Sequence, residues 1–137
     1  MTLSVIIPCY NERDTIEAVV NAVRSGAVQR VEIIVVDDSS RDGTREILDR
    51  QPPGWVNKIV YHGANRGRGA ALRTGFQHAT GDFVIIQDAD LEYDPKESPQ
   101  LLEPLLSRKA DVVIGSRSMG EDLVALFISG TWSVTRY

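Results

Sequence analysis

Five short runs of branched and aromatic residues, with helix-like segments between them, constrain this sequence more than any other feature. They are Leu3 to Ile7, Val31 to Val36 with Glu32 as its only polar member, Lys58 to Tyr61, Phe83 to Ile86, and Val112 to Ile114. Continuous apolar runs of this length, bounded by turn residues, fit strands buried on both faces of a parallel sheet. The intervening segments change period. Ile16, Val19, Val20 and Val23 recur at helical spacing and Gly26 follows as a stop. Thr44 to Asp49 reads as a short helix after the Asp42-Gly43 turn, and Ala70 to Ala79 as another ended by Gly81. Leu101, Leu102, Leu105 and Leu106 mark a fourth, with Pro95 and Pro99 suited to its first turn and Pro104 expected to kink it. Strand-helix alternation with short connections predicts an α/β domain with a mainly parallel sheet. From Glu121 onward Leu123, Val124, Leu126, Phe127, Ile128 and Trp132 are apolar without a clean period, and no element is assigned there.

A chain of 137 residues holds one domain with a real core. Its net charge of −4 lacks the basic surplus of a nucleic-acid binder, so no nucleic-acid partner is expected. An acidic protein that handles an anionic substrate needs a local remedy, such as a bound cation or placed arginines. Cys9 is the only cysteine, which excludes a disulfide framework and a cysteine-based zinc site, and its place at the end of an apolar run predicts a buried, inert thiol. No basic stretch precedes an apolar one at the start, and no apolar run approaches the ~20 residues of a membrane span. The expectation is a cytoplasmic chain.

In open parallel sheets ligands bind beyond the carboxyl ends of the strands, so the polar residues there carry the information. Pro8-Cys9-Tyr10-Asn11-Glu12 follows the first run, Asp37-Asp38-Ser39-Ser40 the second, Gln87-Asp88-Ala89-Asp90-Leu91-Glu92 the fourth and Gly115-Ser116-Arg117 the fifth. In extended backbone Asp88 and Asp90 project to the same side, and Glu92 joins them if the extension persists. Oxygen ligands of this kind suit Mg²⁺ or Mn²⁺, which keep waters and take further ligands from substrate phosphates. The bland alternative is a solvated acidic turn capped by Asp94. Of Asp37 and Asp38, one is expected to brace the turn and one to face a ligand. Gly67-Arg68-Gly69-Ala70-Ala71-Leu72 fails as a dinucleotide fingerprint, because Leu72 stands at the third glycine. It reads either as a helix N-terminus near an anion, helped by Arg66, Arg68 or Arg73, or as a plain glycine loop with solvated arginines. A rim arginine such as Arg117 suits a diphosphate, the bland alternative being a surface arginine paired to a carboxylate. His62 and His78 lie away from the carboxylates in sequence and are read as packed or exposed, not as ligands or bases.

Taken together, these segments resemble glycosyltransferase family 2, whose members have the GT-A fold. The resemblance rests on Val5-Ile6-Ile7-Pro8-Cys9-Tyr10-Asn11-Glu12, on the stretch from Val36 to Thr44, on that from Asn65 to Gly75, on Asp88-Ala89-Asp90-Leu91-Glu92-Tyr93-Asp94-Pro95 and on Gly115-Ser116-Arg117. Gly-x-Gly-Ala-Ala-Leu and Asp-Ala-Asp-Leu are most similar to the dolichol-phosphate mannosyltransferase and bacterial polyprenyl-phosphate glycosyltransferase branch. The resemblance implies a GT-A-like, Rossmann-related α/β/α domain over residues 1–119, followed by an atypical tail over 120–137 with the acceptor half of the family missing. It implies that Pro8, Tyr10, Glu12, Val36 and Asp38 surround the nucleoside; Arg68 and Gly69, from the glycine-rich helix start, are further candidate contacts to the nucleotide sugar. Asp88, Ala89 and Asp90 would flank ribose and diphosphate, with Asp88, Asp90 and Glu92 on Mg²⁺ or Mn²⁺ and Arg117 on the phosphates. Asp88, Asp90 and Arg117 would then be the catalytic residues.

The implied reaction is metal-assisted, inverting transfer of a hexose from a GDP-mannose or UDP-glucose type donor to a polyprenyl phosphate. The implied setting is the cytoplasmic face of a membrane, with peripheral attachment and self-association through the uncovered side. A nucleotide-sugar-binding domain without turnover of its own is the alternative. A receiver-like signalling domain is disfavoured, because the third run ends in Tyr61-His62-Gly63 where that fold places its phospho-accepting aspartate. A sugar nucleotidyltransferase would carry a glycine- and arginine-rich loop after the first strand, where this chain has Pro8 to Glu12.

Overall fold

The computed structural model describes residues 2–26, 28–90, 103, 106–107 and, as backbone, 112–116 and 123–128. Among the described residues the elements follow in the order β1 (Leu3–Cys9), α1 (Ile16–Arg24), β2 (Val31–Asp37), α2 (Thr44–Asp49), β3 (Lys58–Tyr61), α3 (Arg68–His78), β4 (Phe83–Ile86), β5 (Val112–Ser116) and β6 (Leu123–Ile128). The sheet order is β3-β2-β1-β4-β6-β5. β1 to β4 are mutually parallel, and β6 runs antiparallel between β4 and β5. β5 therefore points the same way as β4, and all the motif-bearing strand ends share one rim.

The five strands expected from the apolar runs are present, and three of them extend one or two residues further than the runs. β1 continues through Pro8 and Cys9 because both stay in register with Val36 and Asp37 of β2. Proline is tolerated there for a directional reason. Cys9 turns its carbonyl to Asp38 on the β2 side, whereas Ile6 turns its carbonyl to Gln87 on the β4 side. Pro8, of the same parity as Ile6, faces the side where β4 has already ended, so its missing N–H breaks no ladder bond. The segment from 120 on, set apart as a tail in the sequence, supplies β6 to the interior of the sheet, where Leu126 aligns with Ile85 on one side and Val113 on the other. The fourth helix expected around Leu101 to Leu106 falls largely outside the described residues.

Residue parity sorts the core. Leu3, Val5, Ile7 and Cys9 of β1, with Ile33 and Val35 of β2 and Ile85 of β4, pack on one face against Ile16, Val19, Val20 and Val23 of α1 and Leu48 of α2. Ile34 and Val36 pack on the other face against Ala71 of α3. The result is the α/β/α layering that the alternation predicts. α3 approaches the sheet closely at Gly75, where an added Cβ would lie 2.3 Å from Cγ2 of Ile6. Gly75→Ala should therefore cost about 1–3 kcal/mol by overpacking, read as a lowered urea midpoint. Adding Ile6→Ala should recover part of that loss, since the two sites share the clash. Strictly additive costs would show that α3 shifts instead.

Candidate functional site

A cleft of about 430 Å³ opens beyond the carboxyl ends of β1, β2 and β4, against the start of α3. β1 and β4 are neighbours, but the chain leaves β1 toward β2 and reaches β4 only after β3 and α3. The cleft thus lies at the switch point where open α/β sheets take ligands. Pro8, Cys9, Tyr10 and Glu12 form one wall, Asp88, Ala89 and Asp90 another, and Asp38 lies with Asn65, Gly67, Arg68 and Ala71 on the third.

Two residues in left-handed backbone shape the β1 wall. Asn11 has φ 53° and Ser39 φ 66°. Asparagine tolerates this region and serine less so, and strain of this kind persists only where the surroundings fix it. The surroundings do so here. The Asn11 amide donates to Ser40 Oγ at 2.9 Å, the Arg41 amide to Asn11 Oδ1 at 2.9 Å, the Glu12 amide to Thr44 Oγ1 at 3.0 Å and the Arg13 amide to Asp42 Oδ2 at 3.2 Å. The stitched loops leave Tyr10 47% exposed at the mouth, with an aromatic face available to a planar ligand.

Both members of the Asp37-Asp38 pair are buried and bonded. Asp37 accepts from Arg45 Nε at 2.7 Å and from the Ser40 amide at 3.1 Å, which anchors α2 to the strand end. Asp38 Oδ1 accepts from His62 Nδ1 at 2.8 Å and the Arg66 amide at 2.9 Å, and its Oδ2 accepts from the Gly67 amide at 2.8 Å. Burial alone would raise the Asp38 carboxyl. The Arg66, His62 and Gly67 bonds outweigh it and hold the group below the usual carboxylate range. The loop leading into α3 therefore does gather at an anion, and that anion is the protein's own Asp38.

The acidic wall belongs to the turn after β4. Ala89 is 3% exposed and packs into the core beside α1, while Asp88 and Asp90 reach the cleft. The backbone bends into a turn at 89–90, so the shared cleft and not an extended segment brings the two carboxylates together. Asp88 Oδ1 is paired with Arg68 at 2.7 Å. The Glu12 carboxyl is raised by burial and then by the charges of Asp90, Asp42 and Asp88, against a lowering bond from Thr15. The negative charges of Asp90, Asp42 and Asp88 thus reach Glu12 across the cleft. Among the described residues no group of three metal-ligating side chains is close enough to hold a metal ion. Asp88 and Asp90 nonetheless fit a hard cation that keeps waters and draws its remaining oxygens from a phosphate ligand.

Of the residues singled out in the sequence, Pro8, Tyr10, Glu12, Asp38, Arg68, Asp88, Ala89 and Asp90 meet at this cleft. Val36 does not: it is fully buried against Ala71 on the α3 face, because the second strand points that parity into the core. Gly69 is absent from the lining, one residue past the turn that faces it. Glu92 and Arg117 lie outside the described residues. Three residues were missed. Asn65 lines the cleft directly. Thr15, at the N-cap of α1, makes no cap bond and instead gives its hydroxyl to the Ala89 carbonyl and toward Glu12, tying the two acidic walls together. His62, read as merely packed or exposed, is 6% exposed and holds Asp38. Its position at the end of β3 was the available signal.

Asp42 and Glu32 are also lowered; burial works against this, and hydrogen bonds from Thr44 and Arg13 to the first and from Ser4, Thr80 and Gly81 to the second prevail. Carboxyls depressed in the fold bind more protons when unfolded. Their contribution is complete above the unfolded values and is lost as pH falls through the folded ones. Glu12, raised and half-exposed, acts weakly in the opposite sense. The urea midpoint should hold steady down to about pH 5 and decline below about pH 4. A midpoint that rises on acidification would reverse the assignment.

The comparisons with known proteins meet this geometry. The model of glycosyl transferase family 2 matches residues 4–131. A dolichol-phosphate mannosyltransferase of Pyrococcus furiosus is 37% identical over 119 residues, covering 85% of this chain and 33% of its own length. A mannosyltransferase of Pyrobaculum calidifontis, solved with GDP-Man and Mn²⁺, superposes with TM-score 0.63 at 32% identity over 71% of this chain and 30% of its own. S. aureus TarS 1–349 with UDP-GlcNAc gives TM-score 0.70 at 27% identity over 89% of this chain and 37% of its own. The chain thus spans about a third of the relatives it matches. With a family match that runs through nearly all of it, and a GT-A type sheet whose cleft carries the matching motifs, the chain belongs to glycosyl transferase family 2.

Proposed function

We propose that this chain is the donor-binding part of a glycosyltransferase that passes a sugar from a nucleoside diphosphate to a polyprenyl phosphate. The observation that carries the reading is the polarity of this cleft. Asp88, Asp90 and Glu12 crowd one side, where a cation and diphosphate balance their charge, and Tyr10, Pro8, Asp38 and Asn65 offer a flat apolar surface and hydrogen-bonding groups for a base. The Pyrococcus relative, named for a dolichol phosphate acceptor, and the Mn²⁺ and nucleotide sugars in the solved neighbours support the same assignment.

Asp88 and Asp90 would hold Mg²⁺ or Mn²⁺, with Glu92 as a further ligand; the ion when bound draws charge from the leaving diphosphate. Tyr10 stacks the base. Arg68 neutralises Asp88 in the ligand-free cleft and turns to the phosphates on binding, and Arg117 joins it there. Thr15 keeps the Ala89 turn in place. A phosphate acceptor is already an anion, so inverting attack asks little of a general base. A lipid acceptor would bring the reaction to a membrane surface, for which the cytoplasmic face is our reading. No helix among the described residues is long and apolar enough to cross one.

The test is calorimetric titration of the chain with nucleoside diphosphates, with and without Mn²⁺. Micromolar binding that requires the metal is expected. Metal-independent binding, or none, would remove the basis for the reading.

A further inference from the structure

The solved neighbours divide between guanosine and uridine donors, so they do not fix the base for this cleft. The Asp38 carboxylate bears on the choice through the number of acceptor positions it has left. An ionised carboxylate offers about four lone-pair directions, two on each oxygen. Oδ1 has spent both, on His62 Nδ1 at 2.8 Å and the Arg66 amide at 2.9 Å. Oδ2 has spent one, on the Gly67 amide at 2.8 Å. One direction remains.

The group cannot easily turn to present more. His62 is 6% exposed, its Nδ1 must be the protonated nitrogen to face a carboxylate, and its Nε2 lies 2.8 Å from Thr74 Oγ1 of α3. The ring is held at both ends, and through it the plane of Asp38 is held too. Near Asp38 in the cleft lies Asn65, whose side chain makes no hydrogen bond among the described residues and can donate or accept.

We propose that His62 sets the base specificity of the cleft by locking Asp38 so that it accepts one base N–H, which admits uracil and refuses guanine. The proposal rests on the reading of the cleft as a nucleotide site and deepens it. Uracil presents one ring N–H between two carbonyl oxygens; Oδ2 takes the N–H and the Asn65 amide can meet a carbonyl. Guanine presents N1–H and its amino group side by side and calls for both carboxylate oxygens at once. With Oδ1 saturated, and the Asn65 amide engaged by the guanine carbonyl as it is by a uracil carbonyl, one of those donors would be left unpaired away from water. Unpaired polar groups of this kind weaken binding by about 10-fold or more.

The experiment is titration of the whole chain with UDP and GDP in saturating Mn²⁺, repeated on His62→Leu and His62→Asn. The wild-type chain should bind UDP about 10-fold or more tightly than GDP. His62→Leu removes the lock, frees Oδ1 and lets the carboxylate turn, so the ratio should move toward GDP by a similar factor. His62→Asn, whose amide can replace the Nδ1 donor, should keep the wild-type ratio. GDP binding as tightly as UDP to the wild-type chain overturns the proposal and leaves the nucleotide reading standing. A ratio unmoved in folded His62→Leu overturns the part given to His62. Failure of both nucleotides to bind would reject the underlying function. The wild-type comparison needs no variant, so a His62 change that unfolds the chain does not block the test.

Discussion

Asp38→Ala should lower the unfolding free energy by about 3–5 kcal/mol, the largest stability loss expected from any single polar change at this rim. The substitution leaves the Arg66 and Gly67 amides and the His62 ring without their acceptor, at a site where Asp38 itself is only 3% exposed. An orphaned buried donor such as the His62 ring costs about 1–3 kcal/mol, and the part-buried Arg66 and Gly67 amides add less because water recovers some of the loss. Asp38→Asn should cost much less. Its carbonyl can replace Oδ1 for His62 and Arg66, and only the Gly67 bond is lost. Urea midpoints of the two variants separate the outcomes. Equal, small losses for both would mean the loop before α3 is held by something other than this carboxylate. Because the same loop lines the cleft, nucleotide affinity in saturating Mn²⁺ should also fall in Asp38→Ala.

Asp90→Asn should reduce Mn²⁺-dependent nucleotide binding on the order of 100-fold, or about 2.7 kcal/mol, with the fold left intact. Asparagine keeps the shape and removes the charge, and a hard divalent cation discriminates strongly against an amide in place of a carboxylate. Asp90 is exposed, and substitutions at exposed positions usually shift stability by less than about 0.5 kcal/mol. A second readout is internal to the cleft. The Asp90 charge is a leading electrostatic cause of the raised Glu12 carboxyl, after burial, so the variant should bring Glu12 back toward its ordinary value. That movement can be followed by titration of the Glu12 resonance. Unchanged Mn²⁺ dependence would take the metal role away from Asp90.

The acidic members of the cleft were legible for a simple reason: they follow strands, and strands announce themselves as unbroken apolar runs. Asp88 and Asp90 after Phe83 to Ile86, or Glu12 after Leu3 to Ile7, need only the rule that parallel sheets bind at their carboxyl ends. Val36, which the resemblance places at the nucleoside, has its side chain turned by strand parity toward Ala71. His62 was hidden by distance, since 24 residues separate it from Asp38 and nothing in the local sequence encodes a contact across β2 and β3. β6 was hidden likewise. Its partners, Ile85 and Val113, are chosen by the sheet and not by any period within Leu123–Ile128.

By itself the sequence determined the alternating elements, the layer architecture and the rim on which the chemistry gathers, because burial on two faces and helical spacing are local patterns. Only the tertiary structure decided what each polar group has left to give. Whether a carboxylate is free for a ligand, as its motif suggests, depends on which distant donors have already reached it. For Asp38 three have, and one position remains.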